Sequence, residues 1–237
     1  MDSAAEKPMP PSRRRRNDVR PPGGVGGEMR VTAVEEWTKS RSKVYLDGAF
    51  AFVLYRGELR SYHVREGEEL ASEDYREIME SLLPKRARLR AMNLLKTRDY
   101  TENRLRSKLK EGLYPEDAIA QALQYVASFH YVDDLRYAVS YITAHERTRS
   151  RRRIEQDLVA RGIDRETLES AWIRWEADGG CQDEASMIEK LLKKRKYHPE
   201  SADFKERQRT YSFLLRKGFS AEAVRGAMGT NGLPDGE

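Results

Sequence analysis

Three stretches in the second half of the chain share one pattern of apolar and polar positions. Each is a basic amphipathic helix that ends at a glycine, followed by a large apolar residue, a short turn and a second amphipathic helix. They span residues 104–123, 152–172 and 209–228, with glycines at Gly112, Gly162 and Gly218. These glycines lie 50 and 56 positions apart, a period typical of helical repeat arrays, which usually bind other macromolecules.

Helical periodicity continues through the whole region after Pro84 and predicts nine helices in three groups of three. Thr101, Asp133, Ser150 and Asp164 stand where helices should begin, and each has a side chain that can cap a helix. The three glycines fit left-handed positions just after a helix. The predicted repeats are residues 84–130, 131–180 and 181–228, with helices expected at 84–97, 101–112, from 115, 134–145, 150–161, 165–175, 184–196, 203–217 and 221–228.

Residues 29–83 show a different pattern, which predicts a small β module. Strands are expected at residues 29–34, 44–46, 49–55 and 58–63, with a hairpin turn at Asp47-Gly48. So small an antiparallel meander should pack on a helix, predicted at residues 73–82 with Ser72 as its cap. The fold class is therefore mainly α, with tandem three-helix repeats in a curved array preceded by a small antiparallel β module.

The two ends of the chain predict disorder. Residues 1–28 are rich in proline and glycine and contain four consecutive arginines, Arg13 to Arg16. This run is interpreted either as a solvated basic tail or as an arm that touches DNA. Met29 opens the first patterned segment, so translation starting there is conceivable, and residues 229–237 are expected to form a disordered C-terminal tail.

Charge is distributed unevenly between the two patterned regions. Residues 29–83 hold 8 Lys and Arg against 11 Asp and Glu, whereas residues 84–228 hold 30 against 22. A positive excess confined to the repeats indicates a polyanionic partner. The other interpretation is a solvated helix surface, and charge alone does not choose between them.

Candidate catalytic and metal-binding residues are sparse. Cys181 is the one cysteine, which fits a reducing cytoplasm, and no histidine is paired at ligand spacing with another histidine or with Cys181. Phosphate-loop and nucleophile-elbow motifs are absent from the sequence, and apolar stretches are far short of a membrane span. We therefore expect no enzyme activity, no metal, no cofactor and no membrane association.

Two motifs have both a functional and a structural interpretation. Asp133-Asp134 is either a metal or acid–base pair or a helix cap followed by a favourable first-turn charge, and the structural interpretation is preferred. Trp172 and Trp175 could stack on bases, but Trp172 shares an apolar face with Leu168, so core packing is preferred.

Basic clusters supply the candidate binding residues. Arg151, Arg152 and Arg153 crowd a first helical turn, where positive charge is unfavourable, so local stability does not explain them. A phosphate-bearing or acidic partner would explain these three arginines. Reversing their charges to Glu should therefore weaken binding strongly. The candidates for contact with nucleic acid or a protein–nucleic acid complex are Arg104, Lys108, Arg149, Arg151, Arg152, Arg153, Lys193, Lys194, Arg195 and Lys196.

Several of these stretches resemble the bacterial recombination regulators of the RecX family. The similarity covers residues 29–228 and leaves out the arginine-rich tail. Its centre is FHYVDDLRYA at residues 129–138, which resembles the family's DD-x-x-(Y/F)-A stretch. Further matching residues are AMNLL at 91–95, RDYT at 98–101, LRSKL at 105–109, Ile154, Leu158, RGI at 161–163 and LLRKGF at 214–219.

This resemblance implies a function that composition and periodicity could not have named. It implies a non-enzymatic protein that binds RecA in the helical groove of the RecA–DNA filament and restrains its ATPase, strand-exchange and coprotease activities. The expected partners are the RecA filament and single-stranded or duplex DNA, with the protein itself a monomer. The alternative is a free-standing DNA- or RNA-binding repeat protein that does not depend on RecA.

Overall fold

The computed structural model describes residues 29–229, so the predictions for residues 1–28 and 230–237 lie outside the described part of the chain. The chain divides into two compact units. Within the described residues, one unit holds residues 29–83 together with Leu113–Pro115, and the other holds Pro84–Gly112 and residues 116–229. The first unit contains a four-stranded antiparallel sheet. The second is helical, which confirms the predicted fold class.

Four strands form the sheet, in the order β3-β2-β1-β4. Asp47 and Gly48 have φ of 49° and 81°, the two positive values that a tight hairpin turn of this twist requires. The predicted hairpin is therefore confirmed. The strands are β1 Met29–Thr38, β2 Arg41–Leu46, β3 Ala49–Tyr55 and β4 Glu69–Leu70.

The predicted last strand at residues 58–63 is wrong, because this segment begins with helix α1, Arg56–Ser61. The Glu58 carboxylate accepts a 2.6 Å hydrogen bond from the Tyr55 amide, as in the N-terminal box that stabilises a first helical turn. The fourth strand comes later, where Leu70 and Glu69 pair with the first two residues of β1.

The predicted cap at Ser72 is also wrong. Helix α2, Ser72–Glu77, starts at Ser72 itself, and Ala71 precedes it without a side-chain cap. A π-helical turn follows at Ile78–Leu82, and α3, Leu83–Leu95, continues directly from it. The two helices predicted at residues 73–82 and 84–97 are therefore one continuous helical segment, in which the π-helical turn directly precedes the start of α3 and Pro84, a residue without an amide donor.

Nine helices lie between Leu83 and the end of the described residues, as predicted. Thr101, Asp133, Ser150 and Asp164 each accept a hydrogen bond from an amide in the first turn of the helix that follows. After α3 come α4 Glu102–Glu111, α5 Glu116–Ser128, α6 Asp134–His145, α7 Arg151–Val159, α8 Arg165–Ala177, α9 Glu184–Lys194, α10 Phe204–Arg216 and α11 Ala221–Ala227.

The second and third repeats each bury an apolar core of their own. Side chains of α6, α7 and α8 form the core of the second repeat, where Trp172 and Trp175 are 2% and 5% exposed with ring centroids 5.3 Å apart. These tryptophans are thus core residues, as preferred from the sequence. Helices α9, α10 and α11 surround Ile188, Leu214 and Val224 in the third repeat.

Two of the three repeat glycines adopt the predicted left-handed conformation. Gly162 and Gly218 have φ of 87° and 92°, and the amide after each donates back to a carbonyl five residues earlier, which closes the helix end. Gly112 has φ of −78°, so the prediction is wrong there. Helix α4 continues to Glu111, and the left-handed position falls on the next residue, Leu113, at φ 58°.

Candidate nucleic-acid interface

The first and second repeats meet at a joint built around one buried hydroxyl. Thr101, which caps α4, is fully buried; its Oγ1 accepts from the Arg104 amide at 3.2 Å and donates to the Arg161 carbonyl at 2.6 Å. Gly162 follows, and an added Cβ there would overlap the Asn103 side chain. Glycine is therefore required at this position both by its φ and by the close approach of α4.

The second and third repeats meet at a joint of the same design. Ser150, which caps α7, is fully buried; its Oγ accepts from the Arg153 amide at 3.3 Å and donates to the Lys217 carbonyl at 2.9 Å. A Cβ on Gly218 would lie 2.5 Å from Ser150 Oγ. The glycine turn of each later repeat thus docks on the second helix of the repeat before it.

An acidic side chain completes each joint. Asp134, the first residue of α6, accepts from the Glu102 amide at 2.9 Å, and Glu184, the first residue of α9, accepts from the Arg151 amide at 3.1 Å. Each carboxylate thereby satisfies an orphan amide at a neighbouring helix start. Burial is the main cause that raises the pKa of Asp134, and the Glu102 hydrogen bond acts against it.

The joint between the second and third repeats borders a cavity of about 710 Å³, which we call the basic groove. Phe213 and Phe219 are part of its wall, and none of the described residues that line it is acidic. Cations on four segments converge here because the joint brings the end of α10 against the start of α7. The cationic lining residues are Arg147, Arg149, Arg153, Lys190, Arg216 and Lys217.

Asp157 holds two of the groove arginines through ion pairs. Its carboxylate is 13% exposed and pairs with Arg149 and, at 3.3 Å, with Arg153. Tyr141 donates to the same carboxylate at 3.3 Å and accepts from Arg149. Burial is the largest cause that raises the pKa of the Tyr141 hydroxyl, so this residue remains a neutral hydrogen-bonding group at neutral pH. The two arginines are thereby held in place rather than left to sample many rotamers.

Arg147 pairs with its neighbour Glu146 at 3.4 Å, and the remaining groove cations have no ion-pair partner within the described residues. Lys190 and Arg216 form no ion pair with any residue of the described chain. Lys217 Nζ lies 5.6 Å from the centre of the Phe213 ring, and the Arg195 guanidinium lies 4.4 Å from it. The groove therefore combines oriented arginines, uncompensated charge and an aromatic wall, which together suit a phosphate-bearing polymer.

The premise that local structure does not explain the arginines at the start of α7 is wrong for two of them. Arg151 pairs with Glu155 at 3.2 Å and with Glu176 at 3.1 Å, and its guanidinium stacks 4.4 Å from Trp172. Arg153 is held by Asp157. Carboxylates one turn further along α7, together with Glu176 of α8, compensate these charges. Arg152 alone of the three has no ion pair within the described residues.

A second cavity of about 640 Å³ lies on the other flank of α7. Arg151 and Arg152 line it together with three carboxylates, Glu155, Glu176 and Glu184. Mixed charge of this kind attracts a polyanion less than the basic groove does. The predicted cluster at residues 151–153 is therefore divided, with Arg153 in the basic groove and the other two beside glutamates.

The remaining predicted site residues lie outside the lining of the basic groove. Arg104 is exposed on α4, and Lys108 pairs with Glu111 at 2.7 Å. Lys193, Lys194 and Lys196 are exposed at the end of α9, where Lys196 takes a left-handed φ of 56°. Of this α9 cluster, Arg195 is the residue that reaches the groove wall, through Phe213.

Sequence reasoning missed four of the groove cations, Arg147, Lys190, Arg216 and Lys217. A signal did exist, since Arg216-Lys217-Gly218 repeats the turn that ends at Gly162. Only the contact between Ser150 and Lys217 shows that this turn meets the basic start of another helix.

The acidic pair has a structural role. Asp133 accepts from the Arg136 amide at 2.8 Å as the cap of α6, while Asp134 belongs to the first joint. Residues 29–229 contain no cluster of three His, Cys, Asp or Glu side chains able to hold a metal ion. In the same part of the chain, no helix has the length and apolar character to cross a membrane.

Fold and site together define a protein built from tandem three-helix repeats, with a groove lined by cations at a repeat joint. Family models for the first, second and third three-helix domains of RecX match residues 87–125, 133–171 and 182–228, more than half of the chain together. The chain belongs to the RecX family of regulatory proteins.

Curated relatives and solved structures agree with this assignment. Regulatory protein RecX of Caldanaerobacter subterraneus subsp. tengcongensis is 28% identical over 202 residues, 84% of this chain and 98% of that protein. The Bacillus subtilis regulatory protein RecX is 28% identical over 79% of this chain and 71% of its own length. A crystal structure of a regulatory protein RecX matches 85% of this chain and 98% of that chain with a TM-score of 0.55 and 25% identity.

Proposed function

We propose that this protein binds RecA and acts mainly as its negative modulator. It lies in the groove of the RecA–DNA filament and inhibits the ATPase, strand-exchange and coprotease activities, in the cytoplasm and without catalysis of its own. Membership of a family whose curated proteins are named regulatory proteins supports this. The basic groove is the observation that supports a place beside DNA.

Phosphate binding by the basic groove follows from its chemistry. Guanidinium groups present several donors in a plane and pair with two phosphate oxygens at once. Arg149 and Arg153 are held by Asp157, so less side-chain entropy is lost when a phosphate binds. Arg216 adds a charge that pairs with no carboxylate of the described chain, and Lys190 adds a charge that acts in part on nearby Asp183. The groove is thus prepared for a DNA backbone.

ATP hydrolysis by RecA on single-stranded DNA tests the proposal. The protein should slow hydrolysis at stoichiometric ratios in low and moderate salt, and Lys190→Glu with Arg216→Glu should require several-fold more protein for the same inhibition. Arg165→Glu with Arg174→Glu is the matched control. It makes the same charge change at two exposed residues of α8 that do not line the groove.

Two results would contradict this proposal. Unchanged RecA ATPase in both salt conditions would remove RecA as the target. Equal loss of inhibition in both double variants would keep RecA as the target, but it would show that inhibition depends on the net charge of the protein and not on the basic groove.

The groove also favours a second candidate, a DNA- or RNA-binding protein that does not depend on RecA. Fluorescence anisotropy with nucleic acid alone separates the two, because tight binding that RecA leaves unchanged supports this alternative. Arg152→Glu is the cleanest test of the original arginine cluster, since Arg152 has no ion pair to lose within the described residues. Unchanged affinity would remove Arg152 from the binding surface.

A further inference from the structure

An exposed group of aromatic rings lies at the end of α5, away from the residues of the basic groove. Phe129 and Tyr131 are 52% and 49% exposed, although rings of this size gain free energy from burial. Their positions contrast with Trp172 and Trp175, the aromatic pair that the sequence singled out for stacking, which are buried in the core of the second repeat. These exposed rings have no role in the core.

The rings form a continuous surface, which we call the aromatic platform: Tyr125, Phe129 and Tyr131. Ring centroids of Tyr125 and Phe129 are 5.0 Å apart, and those of Phe129 and Tyr131 are 5.7 Å apart with only 19° between their planes. Two of its three rings therefore present nearly parallel faces, the geometry that lets flat ligands stack on them.

The backbone holds the platform in place. His130, between the two exposed rings, has a left-handed φ of 54°. The Tyr131 amide donates to the Val126 carbonyl at 3.0 Å, and the His130 amide donates to the Ala127 carbonyl at 2.9 Å. These hydrogen bonds close the end of α5, so the rings are displayed on a fixed turn rather than on a loose loop.

A guanidinium lies beside the platform. Arg88 of α3 places its guanidinium 5.6 Å from the centre of the Tyr125 ring. Helix α3 carries four cations and no carboxylate. Asp133 and Asp134, which follow the platform in the chain, accept hydrogen bonds from the Arg136 and Glu102 amides. The cations of α3 are Lys85, Arg86, Arg88 and Arg90. Aromatic faces beside the Arg88 guanidinium match a ligand that has both flat rings and negative charge.

We infer that the aromatic platform binds single-stranded nucleic acid by stacking its unpaired bases on Phe129 and Tyr131, with Arg88 and its neighbours on α3 facing the phosphates. Every base offers a π-face, so binding of this kind tolerates any sequence. Duplex DNA hides those faces within its own stack. The platform therefore prefers single strands, whereas the phosphate chemistry of the basic groove does not distinguish them.

The test compares two oligonucleotides of equal length, one of thymidines and one of abasic sites, by fluorescence anisotropy with the full chain and no RecA. Removing both exposed rings in Phe129→Ala with Tyr131→Ala should weaken thymidine binding by on the order of tenfold and leave abasic binding within about twofold. Arg88→Gln should weaken both. Phe204→Ala is the matched control, because Phe204 is an aromatic residue of another helix, 70% exposed, with no ring contact.

A second double variant distinguishes loss of stacking from loss of folding. Phe129→Leu with Tyr131→Leu keeps apolar bulk but removes the π-faces, and it should lose the thymidine preference as the alanine pair does. If the leucine pair binds thymidine like the parent protein, or if the parent binds both oligonucleotides equally, stacking is overturned and an apolar protein partner becomes the better occupant. Because RecA is absent, neither outcome depends on the proposed regulation of RecA.

Discussion

The two repeat joints use the same atoms for folding but present different surfaces. In both, a buried capping hydroxyl donates to the carbonyl that precedes a left-handed glycine. The cations beside these glycines differ. Arg161 turns inward, with its guanidinium 4.4 Å from the Tyr141 ring and donating to the Asp157 carbonyl, whereas Lys217 lines the basic groove.

This difference separates what builds the array from what it binds. Hydroxyl, carbonyl and glycine recur because every repeat must dock on the one before it. Charge is free to vary around them, and the second joint borders a cavity lined by six cations. Changes to the shared atoms should therefore reduce stability at both joints, while changes to the cations should alter binding at one.

The largest effect is expected from a methyl group at either joint glycine. Gly162→Ala combines an unfavourable φ with overlap against the Asn103 side chain and should lower the free energy of unfolding by about 2–4 kcal/mol. Gly218→Ala should cost about as much, because the nearest atom is Ser150 Oγ, which cannot move aside without losing the hydrogen bonds of the joint. Urea denaturation followed by circular dichroism measures both.

Gly179→Ala is the control that isolates backbone strain. Gly179 has φ of 89°, but nothing lies within 4 Å of an added Cβ, so about 1–2 kcal/mol is expected from strain alone. Equal losses at Gly162 and Gly179 would show that the close approach of α4 contributes nothing.

The next largest effect is expected from the buried hydroxyls. Thr101→Ala and Ser150→Ala each remove a helix cap and leave a buried carbonyl without its donor, which should cost about 2–3 kcal/mol. Ser220→Ala removes an ordinary exposed cap of α11 and should cost about 1 kcal/mol. If all three variants lose the same amount, the hydroxyls act as caps only and the shared joint is not an energetic unit.

Much of the helical array could be predicted from the sequence, because its signals are local. Thr101, Asp133 and Asp164 mark helix starts through their own side chains, and apolar spacing identifies the core faces. Segment 58–63 could not be assigned to a helix from its sequence, because the helix start there is stabilised by one hydrogen bond from the Tyr55 amide to the Glu58 carboxylate. A single residue of offset likewise moved the left-handed position from Gly112 to Leu113.

The candidate site was less predictable because its members are far apart in sequence. Arg149 and Arg216 meet only when α10 docks on the start of α7. The carboxylates that compensate Arg151 come from Glu155 on its own helix and from Glu176, 25 residues away. The rule that disfavours cations in a first helical turn therefore made Arg151 look uncompensated, although two carboxylates pair with it. The turn pattern around Gly218 gave no sign that Arg216 lines the groove.

A smaller effect, visible in salt dependence, is expected from neutralising single cations. Arg216→Gln should reduce the slope of log affinity against log salt by about 0.7 for single-stranded DNA if its guanidinium contacts one phosphate. Arg104→Gln changes an exposed cation next to the first joint, which does not line the basic groove, and should change the slope less. Equal changes in slope would show that the cations at the two joints contribute equally to binding, and Arg104 would then belong to the main binding surface.

The smallest expected effect is a pH trend at the first joint. Burial raises the pKa of Asp134 above its usual value, so the folded state binds this proton more readily than the unfolded state does. Its contribution to stability is therefore greatest below the unfolded pKa and is lost as pH rises through the folded one. Asp134→Asn keeps an oxygen that accepts from the Glu102 amide without the buried charge. Relative to the parent protein, this variant should be more stable at pH 7 than at pH 3.5.

Asp164 provides the opposite trend as a control. Hydrogen bonds from Thr167 lower the pKa of this capping carboxyl, so its contribution is present above the unfolded pKa and disappears as pH falls through the folded one. Asp164→Asn should therefore lose stability at neutral pH and approach the parent protein in acid. Urea midpoints measured from pH 3 to pH 7 should diverge in opposite directions for the two variants. Parallel curves would show that the carboxylate at the first joint is as well solvated as an ordinary cap, and the joint would then be held by its hydroxyl and glycine alone.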